Sequence, residues 1–144
     1  MDEDKQPDFS AIIDDNEQAA AKALDEKNFV QAFLLVHALI EALLRLFLRV
    51  SKEDVKFSEL IRMYQGYLEK QCYPRPEFVD ELTKFYQRRN RIVHELWEKG
   101  HSLTNSQAEP AANAAVMMYG LFIEWLETFD PGITKIGFQY EKGV

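Results

Sequence analysis

The sequence predicts an all-α protein, an up-and-down bundle of about five helices with a short C-terminal extension. Apolar residues recur at three- and four-residue spacing through most of the chain. Strong breaks fall at only a few places: Tyr73-Pro74-Arg75-Pro76, Gly100 and Asp130-Pro131-Gly132. With 144 residues, 47% of them apolar and 12% aromatic, the chain is expected to form one domain, residues 1–144, with a real core.

Residues 1–7 read as a frayed acidic start ending at Pro7. A first helix is expected over roughly 8–26, where Phe9, Ile12, Ile13, Ala20 and Leu24 form an approximate stripe. A second, roughly 28–50, is apolar around most of its circumference, which suits a central helix or one buried in a dimer contact. Residues 52–56 read as a link. A third helix, roughly 57–71, carries Leu60, Ile61, Tyr64 and Leu68. After the double-proline break, a fourth begins near Pro76, a residue preset for a first turn, and runs to about Lys99 before Gly100. Its stripe is Phe78, Val79, Leu82, Phe85, Tyr86, Ile92, Val93 and Leu96. Residues 101–107 read as a polar loop. A fifth helix, roughly 108–129, carries Val116, Met117, Leu121, Phe122, Trp125 and Leu126, with Met117-Met118 as core filler. Residues 130–144 form a tail with weak alternation at Ile136, Phe138 and Tyr140.

Composition narrows the function. Cys72 is the single cysteine, so no internal disulfide is possible, and nothing near it marks a nucleophile. The acidic N-terminus lacks a basic-then-apolar signal pattern. The apolar stretch 29–50 is interrupted by Gln31, His37, Glu41, Arg45 and Arg49, which argues against a membrane span. A cytoplasmic location is expected. The net charge of −7 sits entirely in residues 2–26, where nine acids face two lysines. Residues 84–100, by contrast, hold Lys84, Arg88, Arg89, Arg91 and Lys99 against Glu95 and Glu98. A basic island on an acidic chain can take a polyanion locally, without coating nucleic acid along its length.

That island holds the candidate chemistry, in Gln87-Arg88-Arg89-Asn90-Arg91-Ile92-Val93-His94. On a helix, Asn90 and His94 lie one turn apart on one face, and Arg89 points partly inward. Histidine moves protons near neutral pH, arginine grips phosphate with two parallel bonds, and asparagine can orient either. Arg89 falls within the apolar stripe and so needs a partner; Glu41, also amid apolar neighbours, is the expected one. Helix geometry alone favours a structural ion pair there over a phosphate grip. For His94 the alternative is an ordinary surface histidine. His94-Glu95 begins like a zinc helix motif, but position 98 is Glu, and His37 and His101 have no ligand partners in the pattern. No metal or other cofactor is expected, and no Gly-rich phosphate loop or nucleophile elbow is present.

The segment Arg89-Asn90-Arg91-Ile92-Val93-His94 resembles the Arg-x4–6-His motif of the HEPN superfamily, in its Arg-Asn-x-x-x-His form. The likeness extends to a motif on a late helix and to an apolar second helix with an acidic residue, Ala38-Leu39-Ile40-Glu41-Ala42-Leu43-Leu44. It covers nearly the whole chain. The resemblance implies a metal-independent endoribonuclease working as a homodimer on RNA, with the motifs facing each other across a cleft. It makes Arg89, Asn90 and His94 catalytic, with Lys84, Arg88 and Arg91 binding substrate and Glu41 in support. It also suggests a toxin or antiphage role with a cognate nucleotidyltransferase-like antitoxin. One departure matters: where many such toxins carry a modifiable tyrosine two residues after the histidine, this chain has Leu96. The alternative within the same family is a non-catalytic nucleotide- or protein-binding or dimerisation module.

Overall fold

The computed structural model describes residues 9–50, 54–73, 76–131 and 133. These form helices α1 (Phe9–Asp25), α2 (Phe29–Leu48), α3 (Phe57–Lys70), α4 (Val79–Lys99), α5 (His101–Gln107) and α6 (Glu109–Glu127). The all-helical bundle agrees with the expectation. The acidic start and most of the C-terminal tail lie outside the described residues.

α2 is the axis of the bundle. It packs most extensively on α1 and α6 and also touches α3, α4 and α5. Its apolarity around the circumference is used on every side: Phe33, Val36, Leu39, Ile40, Leu43 and Leu44 are each almost wholly buried. By length and composition α2 could also cross a membrane, but 56% of its most apolar window is buried inside the bundle. The positive-φ residue Arg49 (φ 57°) ends it, with its N–H bonded to Leu46 O and that of Val50 to Arg45 O.

The neighbours pack by different means. α6 approaches α2 through small residues, burying Ala111, Ala112 and Ala115 together with Tyr119, Phe122 and Leu126. The larger Val116, Met117 and Leu121, expected in the core stripe, are instead 37%, 68% and 52% exposed. The alanines make this close approach possible and turn the bulkier face outward. At the far end, α2, α3 and α6 share an aromatic cluster that includes Phe47, Tyr64, Phe122, Trp125 and Phe129. Tyr64 is fully buried in it, donating to Glu77 O at 2.7 Å and accepting from Trp125 Nε1 at 2.7 Å. The Tyr64 bond also ties α3 to the turn that opens α4.

Two expectations need correction. Residues 101–107 are a helix, not a loop, so the described helices number six. Six polar residues and a single leucine give no apolar period to announce a helix; tertiary bonds hold this one. Thr104 is buried and donates to Glu95 O at 3.1 Å, near the C-terminus of α4. Asn105 accepts from Val30 N at 3.0 Å and donates to Lys27 O at 2.9 Å. The second correction is the start of α4, which begins at Val79 rather than Pro76, because Phe78 takes a left-handed conformation (φ 69°).

Asn105 fills a role that sequence assigns to a local cap. The first N–H groups of a helix have no partner within it. Asn28, at the N-cap of α2, makes no side-chain capping bond, and Asn105 serves Val30 from 75 positions away. Asn105→Ala is therefore expected to destabilise the protein by about 1–2 kcal/mol, and Asn28→Ala by much less. Urea unfolding of both variants checks this; equal costs would contradict it.

Candidate functional site

The motif sits on the middle and last turns of α4. Acidic Asp80 and Glu81 in the first turn and Lys99 in the last suit the helix dipole, and Gly100 (φ 88°) ends the helix. Asn90 and His94 are exposed, one turn apart, with Val93 (40% exposed) and Trp97 (74%) on the same outward face. The His94 ring meets Trp97 edge-on, with centroids 4.9 Å apart, and its Nε2 lies 3.4 Å from Glu98 Oε2. Arg89 is half-buried and donates from NH1 to Asn90 Oδ1 at 2.9 Å. Arg89 and Asn90 are thus bonded to each other, and His94 stands one turn further on, beside an exposed apolar pair.

The expected Arg89–Glu41 ion pair is not formed. Glu41 is held by Arg45, one turn along the same helix, at 2.8 Å from NH2 and 3.2 Å from Nε. Arg45 also donates to Val55 O at 2.6 Å, which ties α2 to the segment before α3. An i,i+4 partner needs no second helix to position it, so it takes the carboxylate first. Arg89 keeps its guanidinium for Asn90 and makes no ion pair among the described residues.

Within the field of Arg89 lies a residue that the sequence pattern does not mark. His37 of α2 is buried (7% exposed), its ring 4.6 Å from Phe57 and 5.1 Å from Phe85. Its Nε2 is buried without a hydrogen-bond partner. Burial first, then the field of Arg89, lower its pKa from 6.5 to about 4, while Glu41 acts in the opposite direction. His37 is therefore neutral at pH 7, and its imidazole feels both charged residues. Its sequence neighbourhood is uniformly apolar, so only the spatial approach of α4 reveals it.

The remaining bases lie elsewhere on α4. Helical geometry turns Arg88 roughly 160° away from Asn90. Arg88 and Arg91 line a small polar cavity of about 180 Å³ where α4, α5 and α6 meet, with Glu95, Thr104 and Gln107. Lys84 and Arg88 line a larger groove of about 520 Å³ between α4 and α6. Neither cavity includes Arg89, Asn90 or His94. Within one chain, then, Lys84 and Arg88 occupy a different face of α4 from Asn90, while Arg91, three residues before His94, lies between the two. Among the described residues, no group of three or more His, Cys, Asp or Glu side chains is arranged to hold a metal ion.

Two expectations follow. Between pH 6.5 and about 4 the unfolded chain protonates at position 37 and the folded one does not. Stability is full above that window and falls as the pH drops through it, by roughly 3 kcal/mol at its acid end. His37→Leu should remove this part of the pH dependence, as measured by urea unfolding at several pH values; an unchanged slope would contradict the account. Because Arg89 has no carboxylate to abandon, Arg89→Ala should change stability by less than about 0.5 kcal/mol, whereas Arg45→Ala leaves Glu41 unpaired and costs more. Thermal melts of the two variants decide this. Comparison of the chain with family models, with curated proteins and with solved structures gives no match.

Proposed function

We propose that this protein is a metal-independent endoribonuclease of HEPN type, acting in the cytoplasm as a homodimer. The observation that carries this reading is the arrangement on the outer face of α4. An exposed histidine sits one turn from an exposed asparagine, which in turn holds the guanidinium of Arg89 at 2.9 Å. His94 acts as general base toward the ribose 2′-hydroxyl or as general acid toward the leaving 5′-oxygen. Arg89 binds the scissile phosphate and stabilises charge on its oxygens in the transition state. Asn90 orients the arginine. Glu98, beside His94 at 3.4 Å, is placed to hold the imidazole.

A single α4 presents these groups on a convex surface, so the reading needs a second copy. Val93 and Trp97 supply apolar area between the two motifs for such a contact. The pairing doubles the positive potential and makes a cleft from two helix surfaces. Single-stranded RNA is the favoured substrate, because in-line attack by the 2′-hydroxyl needs a flexible backbone. A toxin or antiphage role with a dedicated antitoxin follows from the same resemblance. Leu96 stands at the usual tyrosine position, so control by modification of that tyrosine is not part of the proposal.

The second reading is a non-catalytic binding or dimerisation module of the same family. It is favoured by the absence of Arg89, Asn90 and His94 from both the groove and the small cavity. Cleavage of single-stranded RNA by purified protein in EDTA separates the two. His94→Ala and Arg89→Ala are each expected to reduce cleavage by about 10²–10⁴-fold without loss of fold. Activity that persists in both variants, or a wild type that cleaves nothing, overturns the enzyme reading.

A further inference from the structure

The groove between α4 and α6 and the small polar cavity beside α5 meet at Arg88 and Ala111, which line both. The groove exists because α4 and α6 pack against α2 and barely touch each other. Its floor is hydrocarbon, from Phe33 of α2 and Phe85 of α4. The α6 wall adds Ala115 and Met118, with Met117 and Leu121 exposed at the rim. No lining residue from α2 or α6 carries a charge. A groove of about 520 Å³ with an apolar floor and a few charged groups on one edge has the size and make-up of a small-molecule site.

Charge changes sign along this path. Glu77, in the turn before α4, and Glu81 flank the end near Phe78 and Leu121. Lys84 follows, Arg88 stands at the junction, and Arg91 lines the polar cavity beyond it. None of the three bases makes an ion pair among the described residues. Glu95 is the one acid lining the polar cavity, and it is already matched. Lys99 Nζ lies 3.5 Å from Glu95 Oε2 and donates to Gln107 Oε1 at 3.4 Å. The cavity end therefore holds uncompensated positive charge, and the far end of the groove holds negative charge.

We infer that groove and cavity together bind one amphiphilic anion, a hydrocarbon body with a phosphate head. The body lies on Phe33 and Phe85 beneath the rim of Met117 and Leu121, and the head sits between Arg88 and Arg91. Side chains three apart on a helix are neighbours, and guanidinium groups match phosphate oxygens in pairs. Phe33, Phe85 and Ala115 offer no hydrogen-bond partner to the edge of a nucleobase, so the groove suits hydrocarbon instead. Glu77 and Glu81 repel an anionic head at the far end and so fix the ligand's direction. Apolar burial supplies the affinity, and the charges supply orientation. A chain of net charge −7 is repelled by an anionic bilayer, so the ligand is a free molecule rather than a membrane lipid. The site does not rest on the ribonuclease reading, and it leaves Asn90 and His94 uncovered.

Titration of the full chain with decyl phosphate below its micelle concentration, followed by NMR of isotope-labelled methionine methyls, provides the test. Met117 and Met118 should shift and saturate, while Met63 on α3 stays fixed. Arg88→Ala and Arg91→Ala should each weaken binding about tenfold. Ala114→Trp, at an exposed position on the groove wall, should abolish it without loss of fold. Decanol, which lacks the head, should bind at least about tenfold more weakly, and decyltrimethylammonium should not bind. His94→Ala should bind decyl phosphate like the wild type, whatever it does to RNA cleavage, so this site and the enzyme reading fail separately. Absent or unsaturable shifts, equal shifts at Met63, or Arg88 and Arg91 variants that bind like the wild type would each overturn the proposal. So would decanol or the cationic amphiphile binding as tightly as decyl phosphate, or co-sedimentation with vesicles of phosphatidylcholine and phosphatidic acid.

Discussion

Everything in this fold depends on burying α2. A helix that is apolar on all sides has no stable place at a surface, and here five other helices take their positions by covering it. Each large side chain removed from water contributes about 1.5–3 kcal/mol, so Phe33, Leu39, Ile40 and Leu44 together outweigh any single polar contact in the molecule. The coverage is uneven in kind. α6 comes close because alanines face α2, and α3 closes the far end with aromatic rings. α4 and α6 are held to α2 rather than to each other, and the groove is what remains between them.

The polar bonds act at the edges of this core, where they decide where chain segments go. Asn105 joins α5 to the α1–α2 turn, Thr104 joins it to the end of α4, and Tyr64 joins α3 to the turn before α4. Each replaces a bond to water that the backbone group or side chain would lose on folding. Tyr119 does the same for α1 and α6, donating to Glu17 at 2.6 Å, and burial together with that carboxylate raises its pKa.

The number and order of the long helices were legible because their apolar period is long and repeated. α5 was not, because His101-Ser102-Leu103-Thr104-Asn105-Ser106-Gln107 has one apolar residue and is helical only through bonds to distant backbone. The helix-four boundary was misplaced because a proline preset for a first turn is a weaker constraint than the left-handed turn at Phe78. In the site, the outward placement of Asn90 and His94 was legible from the 100° step alone. The apolar stripe suggests an inward Arg89 paired with Glu41, whereas Glu41 pairs with Arg45. The spacing of two positions on different helices cannot compete with the one-turn separation of Glu41 and Arg45. Met117 and Leu121 read as core because periodicity shows which residues share a face, but not whether small residues have already claimed the contact.

The imidazole of His37 and the guanidinium of Arg89 are linked through space: one is sealed in the core, and the other stands at the rim of the motif face. Linkage of this kind runs in both directions. Burial is the main cause of the lowered His37 pKa and the field of Arg89 the lesser one, so an anion settling on Arg89 would relieve only the lesser part. A proton on His37, in turn, adds a second positive charge behind Arg89 and tightens its hold on that anion. With its pKa lowered to about 4, the ring takes a proton only in acid, so this coupling operates there and not at neutral pH.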